Sequence, residues 1–334
     1  MKKPKILVVG SLVMDMISST ERIPNAGETV LGKGFRTAPG GKGANQAVQA
    51  ARLGADVTMV GKVGRDAFGK ELIDTMKASG VNTDHIMFDD EASSAIGNIT
   101  LLQQDGVTLN NRILVIPGAN MTITNEDVAF LKEDIANYDM VILQLEITMS
   151  VIETVAKYAH DKGVAVMLNS APSAPLSDEL LSCLTYISPN EYEAADLTGV
   201  VIRDDNGEIH REKVEAAVSA LRAKGVEKVI ITLGDNGAVV ADDKNFTLRP
   251  CVPGVNAVDP TAAGDSFVGA FCTGVCAGLS DEEALLLANN TAAITVSRMG
   301  AMPSLPVFDE VIEAMKQRGF NEFPLSKLDV IKGA

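Results

Sequence analysis

The run Lys5-Ile-Leu-Val-Val9, continuing into Gly10-Ser-Leu-Val-Met-Asp15, admits two readings, and the choice between them decides the fold. Behind Met1-Lys-Lys-Pro-Lys5 it could be the apolar centre of a secretory leader, and then it would say nothing about the core. Asp15 interrupts the apolar stretch, however, and no small-x-small cleavage pattern follows closely. A first buried strand over Lys5–Val9 explains the residues better. Similar short apolar runs return at Val57–Val60, Met140–Leu143, Val164–Leu168, Tyr186–Ser188 and Val229–Thr232. Between them Ala44–Leu53, Phe68–Ser79, Met149–Asp161 and Arg211–Lys224 carry helical periodicity. The last third turns helical at Ala263–Ala277, Asp281–Arg298 and Pro306–Arg318. This alternation predicts an α/β sheet with helices on both faces.

Two regions break the rhythm. Leu12–Thr37 and Ala95–Pro117 are strand-like, with turn signals at Asn25-Ala-Gly27 and Asp105-Gly106, and neither contains a convincing helix. Strands inserted at two separate points can pair into a small accessory sheet that works as a lid; ordinary edge hairpins are the other reading. The reading is of one domain over residues 1–318, with lid strands at about 12–37 and 95–117. The segment 319–334 has no clear pattern and is expected to be a surface extension.

Hydrophobic residues make up 46% of the 334 and charged residues 22%, an ordinary globular balance. A net charge of −15 argues against a nucleic-acid partner, so a phosphate would have to be held by local dipoles, a metal or a few placed cations. No run of about 18 apolar residues is present to cross a membrane. Cys183, Cys251, Cys272 and Cys276 lack the paired spacing of a metal site, which fits a reducing cytoplasm. His85, His160 and His210 sit in polar segments and are assigned no catalytic role.

The chemistry concentrates in Asp259-Pro-Thr-Ala-Ala-Gly-Asp265-Ser-Phe-Val-Gly-Ala-Phe-Cys272. Small residues let backbone N–H groups approach a ligand, and a helix N-terminus favours negative charge. Asp265 therefore stands where phosphate oxygens would dock and can accept a proton from an attacking hydroxyl, as phosphoryl transfer to an alcohol requires. Helix capping is the competing reading of the same acid. The loop Gly40-Gly-Lys-Gly-Ala-Asn45 offers close approach together with Lys42 and Asn45 as donors. It is not a Walker A loop, because Gly43 follows Lys42, and Gln46 stands where a dinucleotide fingerprint would want glycine. Asn190 and Glu193, at i and i+3 on a predicted helix start, could position hydrated magnesium or simply begin the helix. Thr232-Leu-Gly234 ends a strand, with a nucleotide contact or a hairpin turn both compatible with its glycine.

The order of these motifs resembles the ribokinase (phosphofructokinase-B type) carbohydrate kinase family, in its ribokinase and deoxyribokinase branch, from about Lys5 to about Arg318. The resemblance implies a three-layer α/β/α core with a small β-sheet lid that often mediates homodimers, and ATP with a small sugar as substrates. Asp265 would be the catalytic base, with the backbone of Ala262, Ala263 and Gly264 as anion hole. Asp15, Gly41, Lys42, Asn45 and Glu146 would line the sugar pocket. Asn190 and Glu193 would organise magnesium and phosphate, while Thr232, Gly234 and Asn289 would fall against ATP. Asp259, Thr261, Thr295, Arg298, Gly300 and Ser304 match a potassium site beside the anion hole.

One departure bears on the sugar. Family members usually carry Gly-Ser-x-Asn-x-Asp after the first strand, whereas here Val13 replaces the amide. Valine cannot bond a hydroxyl, so the pocket is expected to accept 2-deoxy-D-ribose well alongside D-ribose. Another sugar or nucleoside kinase of the family is the alternative, and a non-catalytic sugar-binding regulator a remote one. A nicotinamide oxidoreductase is disfavoured, because no glycine fingerprint follows the first strand.

Overall fold

The fold comes from a computed structural model that describes residues 2–104, 107–204, 206–320 and 323–332. The Asp105-Gly106 turn lies outside the described residues. Lys5–Val9 is indeed a strand, β1, buried on both faces. Ile6 and Val8 point into one core, Leu7 and Val9 into another. The chain then runs β2 (Val13–Thr20), β3 (Gly34–Gly40), α1 (Lys42–Arg52), β4 (Asp56–Gly64), α2 (Ala67–Ala78), β5 (Asn82–Asp89), β6 (Ala95–Gln104) and β7 (Val107–Ile116). After a short α3 (Leu131–Asp134) come β8 (Met140–Gln144), α4 (Met149–Asp161), β9 (Ala165–Asn169), α5 (Asp178–Ser182), β10 (Tyr186–Ile187) and α6 (Glu191–Thr198). The remainder is α7 (Arg211–Ala223), β11 (Lys228–Thr232), β12 (Ala238–Ala241), β13 (Phe246–Arg249), α8 (Ala263–Cys276), α9 (Asp281–Thr295) and α10 (Phe308–Gln317).

The main sheet has the order β13-β12-β11-β10-β9-β8-β1-β4-β5, parallel from β5 to β11 and antiparallel beyond. Helices α1, α2, α8, α9 and α10 pack on one face, and α3, α4, α5 and α7 on the other. This is the three-layer α/β/α arrangement expected, because strands covered on both faces must be apolar along their whole length. The chain leaves β1 for β4 on one side and later adds β8 on the other. That reversal opens a crevice at the carboxyl ends of the strands, where ligands bind in open α/β sheets.

The inserted strands form a second sheet, β3-β2-β6-β7, as the broken rhythm implied. Val13, Asp15 and Ile17 pair with Gly40, Ala38 and Arg36 on one side and with Ala95, Gly97 and Ile99 on the other. Side chains alternate across a strand, so these residues share one face. Gly97 and Ile99 in turn pair with Val115 and Ile113.

Beyond 319 the described residues are not the surface extension expected. Phe323, Leu328 and Ile331 are buried against the α1/α8 core, and the Ile331 carbonyl lies so close to Gly54 that a Cβ there would meet it at 2.2 Å.

Candidate active site

The glycine loop lies directly on the end of β1. Gly41 has φ +94°, and a Cβ at Gly43 would come within 2.6 Å of the Ser11 nitrogen. Glycine alone permits that approach. Its result is that α1 starts at the crevice and aims its first turn across it. Ser11 Oγ donates to Glu146 Oε2 at 2.5 Å, and the Lys42 backbone N–H donates to the same oxygen at 3.1 Å. Glu146 is thereby fixed under the loop.

One turn further on, Asn45 Nδ2 donates to Asp265 Oδ2 at 2.8 Å, and Gln46 Nε2 donates to Asp265 Oδ1 at 2.9 Å. Asp265 is buried in the first turn of α8. Its burial, far in sequence from the loop that holds it, argues against a simple capping acid. Asn45 Oδ1 is itself buried and has no partner among the described residues, leaving an acceptor for a hydroxyl donor.

Helix α8 begins at Ala262, which has φ +61° although it is not glycine. Alanine in this region is uncommon, and the loop on both sides holds it there. No side chain caps the helix. The Ala263 N–H reaches the Pro260 carbonyl at 3.2 Å, and a Cβ added to Gly264 would meet nothing within 4 Å. Ala262 and Gly264 therefore stand at an uncapped helix start, open on the side of the cleft they line with Asp265.

Lys42, Asn169, Ala171, Ser188, Asn190, Glu193, Thr232, Pro260, Ala262, Gly264 and Asp265 line one cleft of about 200 Å³. Burial works to lower the Lys42 ammonium, but the carboxylates of Asp265, Glu146 and Glu193 outweigh it and hold the pKa above its usual value. Burial raises Glu193, against the pull of the Asn190 N–H and Lys42. Asn190 and Glu193 do come together, though as a capping box. Asn190 Oδ1 accepts from the Tyr192 and Glu193 N–H groups, and Glu193 Oε2 accepts from the Asn190 N–H. The helix-start reading of that pair is thus met, and both side chains also line the cleft. A larger groove of about 400 Å³ between Pro175, Leu181, Asp196 and Lys224 brings none of these groups together.

From the lid, Asp15 reaches over the loop. Its Oδ1 occupies the space a Cβ on Gly97 would need, 2.4 Å away. Burial, with Glu146 and Asp259 adding repulsion, pushes its carboxyl up to about 6. Val13 lies on the same face, buried yet in neither core.

Other expected residues stand apart from this cleft. Asn289 donates its amide to the Arg249 and Pro250 carbonyls at 3.4 and 3.2 Å. Gly234 lies beside the Arg203–Glu191 ion pair. In the loop behind the anion site, Asp259 accepts from the Thr261 N–H and the Gly300 N–H, each at 2.9 Å. Burial opposes its ionisation, but those donors and Arg36 of the lid keep its carboxyl below the ordinary range. Thr295 Oγ1 donates to the Thr291 carbonyl, Ser304 Oγ to the Ala301 carbonyl, and Arg298 pairs with Glu310. Thr295 and Ser304 thus turn inward to those carbonyls, whereas Arg298 and Glu310 meet at the surface. Sequence reasoning missed Gln46, Gln144, Ser11 and Ser188; a polar residue ending an otherwise apolar strand was the available cue for Gln144.

Residues 3–307 match the pfkB family carbohydrate kinases. A ribokinase of Bacillus subtilis is 39% identical over 310 residues, covering 93% of this chain and 99% of that protein. A deoxyribokinase of Salmonella typhi is 32% identical over 309 residues, covering 92% and 97%. The Arabidopsis thaliana ribokinase solved with ribose and ATP superposes with a TM-score of 0.85 at 33% identity, covering 95% and 99%. With the glycine loop, the small-residue bend and Asp265 meeting in one crevice, the chain belongs to the pfkB family of carbohydrate kinases.

Proposed function

We propose that this kinase transfers the γ-phosphoryl group of ATP to the 5-hydroxyl of D-ribose or 2-deoxy-D-ribose. The observation that carries the reading is Asp265: a buried carboxylate gripped by Asn45 from the glycine loop, beside an uncapped helix N-terminus. The sugar would lie between Asp15, Gly41, Lys42, Asn45 and Glu146, with Asn45 Oδ1 as its unfilled acceptor. Its terminal hydroxyl would give its proton to Asp265 as the oxygen–phosphorus bond forms and the bond to the departing ADP breaks. The N–H groups of Ala262 and Gly264 and the Lys42 ammonium would meet the charge that spreads over the phosphoryl oxygens, while the Ala263 N–H is held by the Pro260 carbonyl. In a loose transition state proton transfer comes late, so alignment matters more than the basicity of Asp265.

The all-oxygen character of Glu193 and Asn190 suits magnesium, which keeps several waters. The capping box takes Glu193 Oε2 and leaves Oε1 for that water shell. Bound with the nucleotide, magnesium neutralises phosphate charge. Thr232 lines the cleft where the phosphates would enter, with Gly234 and Asn289 assigned to the nucleotide further out. For potassium, the carbonyls around Asp259, Thr261, Thr295, Arg298, Gly300 and Ser304 are an oxygen-only set. The exposed apolar lid supports a homodimer, and four unpaired cysteines suit the cytoplasm.

Asp265→Asn is expected to lower kcat by at least roughly a hundredfold, the low end for general-base catalysis. Near-normal turnover in that variant refutes the reading. The same assay in potassium and in choline salts tests the monovalent cation; equal rates would remove it.

A further inference from the structure

Behind Asp265 runs a row of buried amides that the proposed sugar contacts do not use. Gln46 Nε2 donates to Asp265 Oδ1 at 2.9 Å, and Gln144 Nε2 donates to Gln46 Oε1 at 2.7 Å. Both glutamines are fully buried. Gln144 ends β8, and its own Oε1 closes the row without a partner among the described residues. A Cβ on Gly10 would come within 1.9 Å of that oxygen, so the residue after β1 leaves room for the amide.

The direction of the row is set from its catalytic end. An ionised carboxylate only accepts hydrogen bonds, so Gln46 must turn its NH2 toward Asp265 and its carbonyl away. In a site closed to water that carbonyl can be met only by a donor, which Gln144 supplies. Remove Gln144's NH2 and the Gln46 carbonyl is buried without a donor, so the amide is held at the Asp265 end alone.

We propose that Gln46 and Gln144 are positioning residues for the transfer step. They fix the plane of the Asp265 carboxylate so that Oδ2, the oxygen shared with Asn45 on the cleft side, faces the incoming hydroxyl. In the step, the hydroxyl O–H bond breaks toward Oδ2 and the new O–P bond forms as the bond to ADP breaks. Oδ1 keeps its Gln46 N–H throughout. Neither glutamine touches substrate. The proposal rests on Asp265 being the base.

The test measures kcat, both KM values and Tm for Gln144→Met, Gln46→Met and the double variant, in wild-type and Asp265→Asn backgrounds. Gln144→Met is expected to lower kcat roughly tenfold, in the range that small misplacements of reacting groups produce, with both KM values within about twofold. The double variant should turn over no more slowly than Gln46→Met alone, because Gln144 acts through Gln46. In the Asp265→Asn background Gln144→Met should change the residual rate by less than about twofold. Gln144→Asn keeps an amide in the fold while withdrawing the donor, and takes the place of Gln144→Met if that chain does not fold. Losses in kcat that multiply, or a full rate in folded Gln144 variants, overturn the proposal. If those variants are fast while Asp265→Asn is inactive, only the positioning role falls; if Asp265→Asn is itself active, the base assignment falls with it.

Discussion

In α1 and α8 residues 43–50 and 265–274 are all buried, whereas lid strand β7 exposes Ile113, Leu114, Val115 and Ile116 to between 42 and 61%. The two helices meet through Gly269, where an added Cβ would come within 2.8 Å of the Gln46 carbonyl. Close packing of that kind leaves few alternative arrangements, and the base and its amide holders sit inside it. The lid is a four-stranded sheet with β7 unpaired on its outer edge among the described residues. Under the proposed function it would contribute Asp15 and Val13 to the sugar pocket but no reacting group. On that reading the floor would carry turnover and the lid would add to sugar affinity.

The largest effect that could break this division is at Asp15. Asp15→Asn removes a charged acceptor, a loss of about 1.5–3 kcal/mol, so the sugar KM should rise roughly ten- to a hundredfold while kcat stays within about threefold. A collapse of kcat with KM unchanged would place Asp15 in the chemistry and erase the contrast. The pH profile sharpens the same point. The Asp15 carboxyl is pushed up to about 6, so its charged form is lost as pH falls through about 6. Sugar kcat/KM should decline there, and the decline should vanish in Asp15→Asn. The sign for stability is opposite. Between the ordinary 3.8 and about 6 the folded chain holds a proton that the unfolded chain has released, so this group's contribution falls as pH rises across that window.

Next in size is the lid's apolar face. Ile113 and Val115 pair with Ile99 and Gly97 and so share the face that carries Asp15. Exposed apolar surface on an edge strand invites another strand or sheet. Ile113→Lys should shift a dimer toward monomer in sedimentation velocity, raising sugar KM several-fold with kcat within about twofold. A wild-type protein that sediments as a monomer at all concentrations removes the dimer from the account.

The same contrast explains what could be read in the sequence. Helix α4 matches its expected limits, Met149–Asp161, because one face meets the core and the other meets water, which leaves a clear period. Asn82–Asp89 went unread as a strand, since β5 lies at the sheet edge and buries only Thr83 and Ile86, three residues apart, in a polar stretch. Phe246–Arg249 went unread for a similar reason, a short outermost strand. In the tail, Leu325, Leu328 and Ile331 recur every third residue. That spacing suits the tight turn at Leu325–Leu328, and it could have signalled burial. At the site, the acids and glycines were legible because their residue types are the chemistry. Gln46 was read only as a failed glycine, because an amide's partners lie at long sequence separation. The expected placing of Asn289 against nucleotide meets an amide already donating to two backbone carbonyls, a bond that spacing does not encode.

The smallest effect is the finest test of the lid's role. Val13 is buried on the face it shares with Asp15, its Cγ1 lying 3.9 Å from where a Gly97 Cβ would be. A hydroxyl brought against its methyl groups finds no acceptor from this side chain, while a sugar bearing hydrogen there loses nothing. An apolar pocket rejects an added hydroxyl only weakly, by at most about a hundredfold, so D-ribose should remain a substrate beside 2-deoxy-D-ribose. Val13→Asn restores an amide to that wall. It should move the ratio of kcat/KM values several-fold toward ribose, chiefly through KM, with the maximal rates on either sugar within about twofold. Because Asp265 and its amide row are untouched, any change in that ratio comes from recognition rather than from the transfer step. An unchanged ratio would mean that the sugar's second carbon faces the floor, and that the lid supplies affinity through Asp15 without discriminating between the two pentoses.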